Sequence, residues 1–246
     1  MTIHIDEARR LVARSCQILG KQGLTRETAG HVSARISGDR VVIKGRGAGE
    51  AALSHTTPND LIIVDMDGKM VDGREDLASP NEVFIHTWML RTRPEIESVI
   101  HIHPPTVVAF TIAGRPLLPV VGAFNPGALR FALDGLPLYP RSVLINSDAR
   151  GGEELAKTMG NARACLMQGH GITTVGRTVE EATIAAINLN DLAEMNYKGA
   201  LLGTPQPIPD EDLEEFRAQA GRGGDRGAAN YMNSTWRYYD RLARDG

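Results

Sequence analysis

Between Asp6 and Lys21 the apolar residues Ala8, Leu11, Val12, Ile18 and Leu19 return at helical spacing, predicting an amphipathic first helix with Asp6 as N-cap and Gly23 as stop. The period then falls to two. Val32–Ile36 and Arg40–Ile43 read as strands joined by a hairpin turn at Ser37-Gly38-Asp39. Asp60–Asp65 is a further strand, turned by Met66-Asp67-Gly68-Lys69 into Met70-Val71. Helical spacing resumes over Ser79–Arg93, opened by Ser79 and Pro80 and halted before Pro94. Ser98–His103 alternates as a strand and stops at Pro104-Pro105, while Ala162–Met167 and Ile172–Val175 read as strands joined through Gly169-His170-Gly171. A long helix is predicted from Thr178 to about Leu202, with Thr178 and Glu181 at capping-box spacing. Past Pro205, Pro207 and Pro209 come a short acidic helix near Asp212–Ala220, a Gly-rich break at Gly221–Gly227, and a last helix carrying Tyr231, Trp236 and Tyr239. Strands grouped centrally with helices around them predict a three-layer α/β/α fold whose central sheet is largely antiparallel, not eight regular βα units.

Composition narrows the partners. A chain of 246 residues, 42% hydrophobic and 23% charged, can bury a substantial core without disulfides or a structural metal. A net charge of −3 speaks against a protein that coats nucleic acid or an anionic membrane, both of which require a basic face, so a small molecule is the expected partner. Cys16 and Cys165 have no C-x-x-C spacing, and neither a leader nor a membrane span is evident. The expected location is the cytoplasm.

The candidate chemistry centres on histidine. On a strand, Val99, His101 and His103 face one way and Ile100 and Ile102 the other, so two imidazoles project together, as ligation of zinc or a similar divalent ion requires. Two polar residues on a solvated strand face are the plainer reading of so short a pattern. His170, between two glycines, is by itself a turn residue; with the H-x-H upstream it becomes the third ligand of an open three-histidine site. Glu82 has two readings: Ser79-Pro80-Asn81-Glu82 has capping-box spacing, and the same carboxylate at a helix start can serve as a fourth ligand or an acid/base group. His86, one turn on, is expected to be buried behind that face; His31 and His55 lie in loop-like settings, and His4 in solvent. Lys44-Gly45-Arg46-Gly47-Ala48-Gly49 fits neither G-x-G-x-x-G nor a P-loop. It offers two cations to an anion, Arg46 being able to grip a carboxylate with two parallel bonds, unless it is only a surface turn.

The order of these pieces resembles the class II aldolase/adducin family: Gly30-His31-Val32-Ser33-Ala34-Arg35, Thr57-Pro58-Asn59-Asp60-Leu61, Val64-Asp65, Asp67-Gly68, Glu82, His101-Ile102-His103 and Gly169-His170-Gly171. The resemblance implies a class II aldolase-like catalytic domain over 1–205, a helical extension over 206–246 packing on the same domain or a neighbouring subunit, and a homotetramer. It also implies one divalent ion per subunit (Zn, Mn, Co or Fe) on His101, His103, His170 and Glu82. Where sugar-phosphate aldolases of the family carry a Gly-Asn pair, a Thr-Pro-Ser-Gly-like loop and paired serines, this chain has Gly30-His31, Lys44-Gly45-Arg46-Gly47 and Pro80-Asn81. Cations and an imidazole in place of a phosphate cradle resemble the branch that decarboxylates hydroxylated aromatic or pyridine dicarboxylates. On that reading Glu82 and His31 are the candidate catalytic residues, and Arg46, Lys44 and Ser79 the substrate contacts. Two alternatives are an aldolase or epimerase acting on fuculose or ribulose phosphate, and a metal-free adducin-like interaction module.

Overall fold

The computed structural model describes residues 3–37, 39–142, 149–222 and 224–245. Its ten strands are β1 (His31–Ile36), β2 (Arg40–Lys44), β3 (Arg46–Gly47), β4 (Leu61–Asp65), β5 (Met70–Asp72), β6 (Leu77–Ala78), β7 (Ser98–Ile102), β8 (Leu138–Tyr139), β9 (Ala164–Met167) and β10 (Gly171–Gly176). Its α-helices are α1 (Ile5–Lys21), α2 (Val83–Thr92), α3 (Pro105–Ile112), α4 (Pro126–Asp134), α5 (Ala149–Met159), α6 (Val179–Leu202), α7 (Asp210–Arg222) and α8 (Gly224–Asp245).

Eight strands form one sheet in the order β5-β4-β2-β1-β7-β10-β9-β8, antiparallel throughout except for the parallel β8–β9 pair. Each sheet face carries its own apolar core. Val32, Ala34, Ile100, Ile102 and Ile172 pack with α1 and α6, whereas Val41, Ile43, Val99, Cys165 and Met167 pack with α2 and α5. The expected α/β/α sandwich with a largely antiparallel sheet is therefore what these residues build. Strands buried on both faces explain why so many of them read as continuous apolar runs rather than clean alternation.

Several boundaries differ from the sequence expectation, each for a local reason. The first helix is capped by His4, whose Nδ1 accepts from the Asp6 amide at 3.4 Å, so Asp6 lies inside the first turn, where its charge suits the helix dipole. Gly23, at φ +71°, does end the segment. The hairpin joining β1 to β2 brings Ile36 opposite Arg40; Gly38 of the predicted turn lies outside the described residues. Helix α2 starts at Val83, not Ser79, because β6 pairs with β3 and keeps the chain extended just ahead of it. The Gly-rich break is shorter than expected, since α7 continues to Arg222 and α8 resumes at Gly224. Helix α8 lies against α1 and α6, with Arg14 and Asp240 paired at 2.9 Å and Lys21 donating to the Ala243 carbonyl at 2.6 Å. Among the described residues no helix is long and apolar enough to cross a membrane.

Candidate metal centre

Backbone pairing sets the centre's geometry. Strand β7 lies between β1 and β10 so that His101 sits directly opposite His31 on one side and Thr173 on the other. All three side chains therefore share the α2 face of the sheet. His103 follows immediately as β7 ends, and Pro104-Pro105 turns the chain into α3, which begins at Pro105. Gly169, at φ +59°, lets the β9–β10 turn close with the His170 amide donating to Met167 O at 3.1 Å, which swings the His170 ring over the β7 end. The approach is tight at Gly171, where a Cβ would stand 2.3 Å from Ile102 O and 2.7 Å from His103 Cδ2.

Glu82 completes the group from the opposite layer. It is itself the N-cap residue of α2 and makes no side-chain capping bond, so the capping-box spacing seen in the sequence is not used. Its Oε2 lies 3.2 Å from His101 Nε2 and its Oε1 3.5 Å from His170 Nε2. His103 Nε2 is 3.0 Å from His101 Nε2. One ligand atom from each of Glu82, His101, His103 and His170 lies within 4.8 Å of all the others.

The donor chemistry fits a divalent cation. His101 Nδ1 is 3.0 Å from the Ile172 carbonyl, which can only accept, so the ring proton is on Nδ1 and the Nε2 lone pair points into the cluster. Burial first, then the neighbouring His101 and His170, push the His103 imidazole down to about 3, leaving it neutral and able to ligate. Both ring nitrogens of His170 are buried without a hydrogen-bonding partner among the described residues. For Glu82, burial pushes the carboxyl up, but the facing imidazoles of His101 and His170 outweigh it and hold the group well below the ordinary carboxylate range. Three imidazole lone pairs and a carboxylate converging without a cation would repel one another. A divalent ion held by these four groups would relieve that repulsion.

The remaining candidates separate. His31 stacks on His101 with ring centroids 6.3 Å apart. Arg46 is exposed, its Nη1 donating to Asn81 Oδ1 at 2.6 Å, and with Gly47, Ala48, Glu50 and Ala78 it lines a cavity of about 500 Å³. That contact ties the guanidinium to the residue preceding Glu82. Lys44 is fully buried, its Nζ 2.5 Å from Glu50 Oε1 and 3.3 Å from Thr28 O. Ser79 Oγ donates to Gly68 O at 2.7 Å. The structure thus stacks His31 on His101 and ties Arg46 to Asn81, while Lys44 bonds Glu50 and the Thr28 carbonyl and Ser79 bonds the Gly68 carbonyl. His86 is fully buried behind Glu82, as expected from its spacing, whereas Asn81 and Ser33 are polar groups that the sequence did not single out as site residues. Asn81 carried a faint signal in standing directly before Glu82.

Comparison with known proteins places the chain in a family. Residues 10–197 match the family model described as the Class II Aldolase and Adducin N-terminal domain. The chain is 35% identical over 235 residues to a 3,4-dihydroxyphthalate decarboxylase of Arthrobacter keyseri, covering 94% of this chain and 92% of that protein. It is 40% identical over 209 residues to the enzyme of the same name from Terrabacter sp. (strain DBF63), covering 83% and 87% respectively. Its fold matches the L-fuculose 1-phosphate aldolase from Glaciozyma antarctica PI12 with a TM-score of 0.80 at 18% identity, over 100% of this chain and 94% of that one. By fold, by the matched family model and by near full-length similarity to these relatives, the chain belongs to the class II aldolase and adducin family.

Proposed function

We propose that this protein is a metal-dependent carbon–carbon lyase that decarboxylates a hydroxylated aromatic or heteroaromatic dicarboxylate. The observation that carries this reading is the Glu82–His101–His103–His170 cluster taken with an exposed guanidinium, Arg46, whose Nη1 donates to Asn81, the residue directly before Glu82. A planar dicarboxylate has two anionic groups to place, and this arrangement offers two cationic destinations. The names of the Arthrobacter and Terrabacter relatives support the same substrate class.

The reaction needs the ring carbon to take a proton as its bond to the carboxylate breaks, so that the bond's electrons end in a C–H bond and carbon dioxide leaves. A divalent ion, which Glu82, His101, His103 and His170 would hold, would supply Lewis acidity to stabilise the negative charge that develops as the bond breaks. Glu82, held ionised, acts as a ligand. His31, beside His101 but outside the four-ligand set, is assigned the proton. Burial, followed by the charges of His86 and His101, depresses the His31 imidazole well below its ordinary value. A dianionic substrate beside it raises that value again, so the proton is taken up together with the substrate. Arg46 grips the second carboxylate through parallel N–H bonds.

We further assign one ion per subunit from among Zn, Mn, Co and Fe, a cytoplasmic location, residues 1–205 as the catalytic domain and 206–246 as its helical extension. A homotetramer accords with the apolar end of α6, where Leu201 and Leu202 are 68% and 93% exposed. The test is a panel of hydroxylated phthalates, pyridine dicarboxylates and sugar phosphates, assayed after metal removal and after resupply of each ion. Carbon dioxide release from a hydroxylated dicarboxylate, restored by one of the ions, is expected. Aldehyde release from fuculose or ribulose phosphate with no decarboxylation would replace this reading with the aldolase one.

A further inference from the structure

Behind the four ligands lies a second pair of imidazoles that the reaction as drawn does not use fully. His86 is completely buried one turn beyond Glu82 on α2, and its Nδ1 is 2.8 Å from the hydroxyl of Ser33 on β1. That hydroxyl also lies 3.3 Å from the Val99 carbonyl, a group that can only accept. The Ser33 proton therefore goes to Val99 O, and Ser33 Oγ accepts from the Nδ1–H of His86. His86 Nε2 is left as a bare lone pair, buried and without a partner among the described residues. The His31 ring lies edge-to-face with the His86 ring, centroids 5.9 Å apart and planes at 79°, and its Nδ1 is likewise buried without a hydrogen-bond partner among the described residues. A buried acceptor and a buried ring nitrogen on neighbouring rings satisfy each other through a bridging water only if the ring proton sits on the His31 side.

Resting on the reading of His31 as the proton-handling group, we propose that His86 is its positioning residue. Across one bridging water, His86 Nε2 accepts the Nδ1 proton of His31, so that His31 keeps the Nδ1–H form and offers Nε2 to the substrate. The chain then has a single direction: His31 Nδ1–H through the water to His86 Nε2, His86 Nδ1–H to Ser33 Oγ, and Ser33 Oγ–H to Val99 O. Its anchor is a backbone carbonyl of the strand that also carries His101, so the proton-handling ring and a metal ligand are referenced to the same strand.

Nitrogen-15 NMR of histidine-labelled, zinc-loaded protein reads the tautomer directly, with His31 assigned by its loss in His31→Asn. The wild type should show His31 as Nδ1–H. His86→Phe preserves ring volume but removes the acceptor; it should shift His31 to the Nε2–H form and lower kcat roughly tenfold to a hundredfold with little change in KM. His86→Gln, whose amide oxygen can still accept, should recover part of that loss. If His86→Phe does not fold, Ser33→Ala, which frees His86 to reverse its proton, carries the same tautomer test. An Nε2–H His31 in the wild type, or unchanged kcat in a folded, metal-replete His86→Phe, overturns the proposal. Failure to decarboxylate any panel substrate would instead remove the functional reading and leave the tautomer result standing independently.

Discussion

Glu82, His101, His103 and His170 come from three separate stretches of chain, yet their ligand atoms converge within 4.8 Å. Lys44 and Arg46 are two residues apart, yet one is fully buried against Glu50 and the other stands in solvent beside Asn81. In the first case the strand register of β7 with β1 and β10 imposes convergence on residues distant in sequence. In the second, strand β2 ends at Lys44, the Gly45 amide bonds to Asp60 O at 2.9 Å, and Arg46 joins a different, two-stranded ladder, so neighbours diverge. Sheet interiors place groups to the precision that catalysis requires, whereas a loop between ladders can assign its cations to unrelated tasks. The cluster is suited to fixed chemistry, and the loop to choosing what the chemistry acts on.

The contrast is tested most severely at its rigid end. His101→Ala removes the ligand that bridges Glu82 and His103, and metal content, read by elemental analysis, should fall well below one per chain. Activity should fall by more than the roughly tenfold to hundredfold seen when only a supporting residue of a metal site is lost. Full metal content in a folded His101→Ala protein would remove the cluster from consideration. Next comes Lys44, which the sequence offered as a substrate contact and the structure seals in an ion pair. Lys44→Met leaves Glu50 largely buried without its cation, and should lower unfolding free energy by about 3–5 kcal/mol in denaturant titrations. A fully stable Lys44→Met protein that has lost only substrate affinity would reverse this assignment and make the two cations of the loop alike. The smallest effect is expected at Arg46. Arg46→Lys exchanges a two-pronged grip for a point charge, and should cost about 1.5–3 kcal/mol in kcat/KM on a dicarboxylate, but little on an analogue lacking the second carboxylate. Equal losses on both would show that Arg46 supports the loop rather than the substrate.

The sequence made the cluster legible because a period of two places His101 and His103 on one side whatever surrounds them, and glycines on both sides of His170 announce a turn. It did not resolve Glu82, since cap and ligand require the same residue at a helix start. Only the placement of that start at Val83 separates the two roles. The stretch from Pro105 to Met159 was not read as structure at all. Helix α3 is rich in β-branched and aromatic residues, α5 contains Gly151 and Gly152, and β8 is two residues long, so local preference and final structure disagree there. Burial of Lys44 was equally invisible, because it depends on Glu50 folding back across Gly45–Gly49. The partnership of His31 with His86 spans fifty-odd positions and rests on ring orientation, which no spacing encodes.

Gly171 touches no substrate and donates no electron pair, yet its α-carbon faces the Ile102 carbonyl and the edge of the His103 ring at distances that exclude even a methyl group. The shape of the Glu82–His101–His103–His170 cluster is thereby partly a negative image, set by an atom that is absent. A single alanine there would push the His103 ring off its bearing while leaving the identity of all four cluster residues unchanged. An inventory of the four side chains alone would score the two proteins as identical.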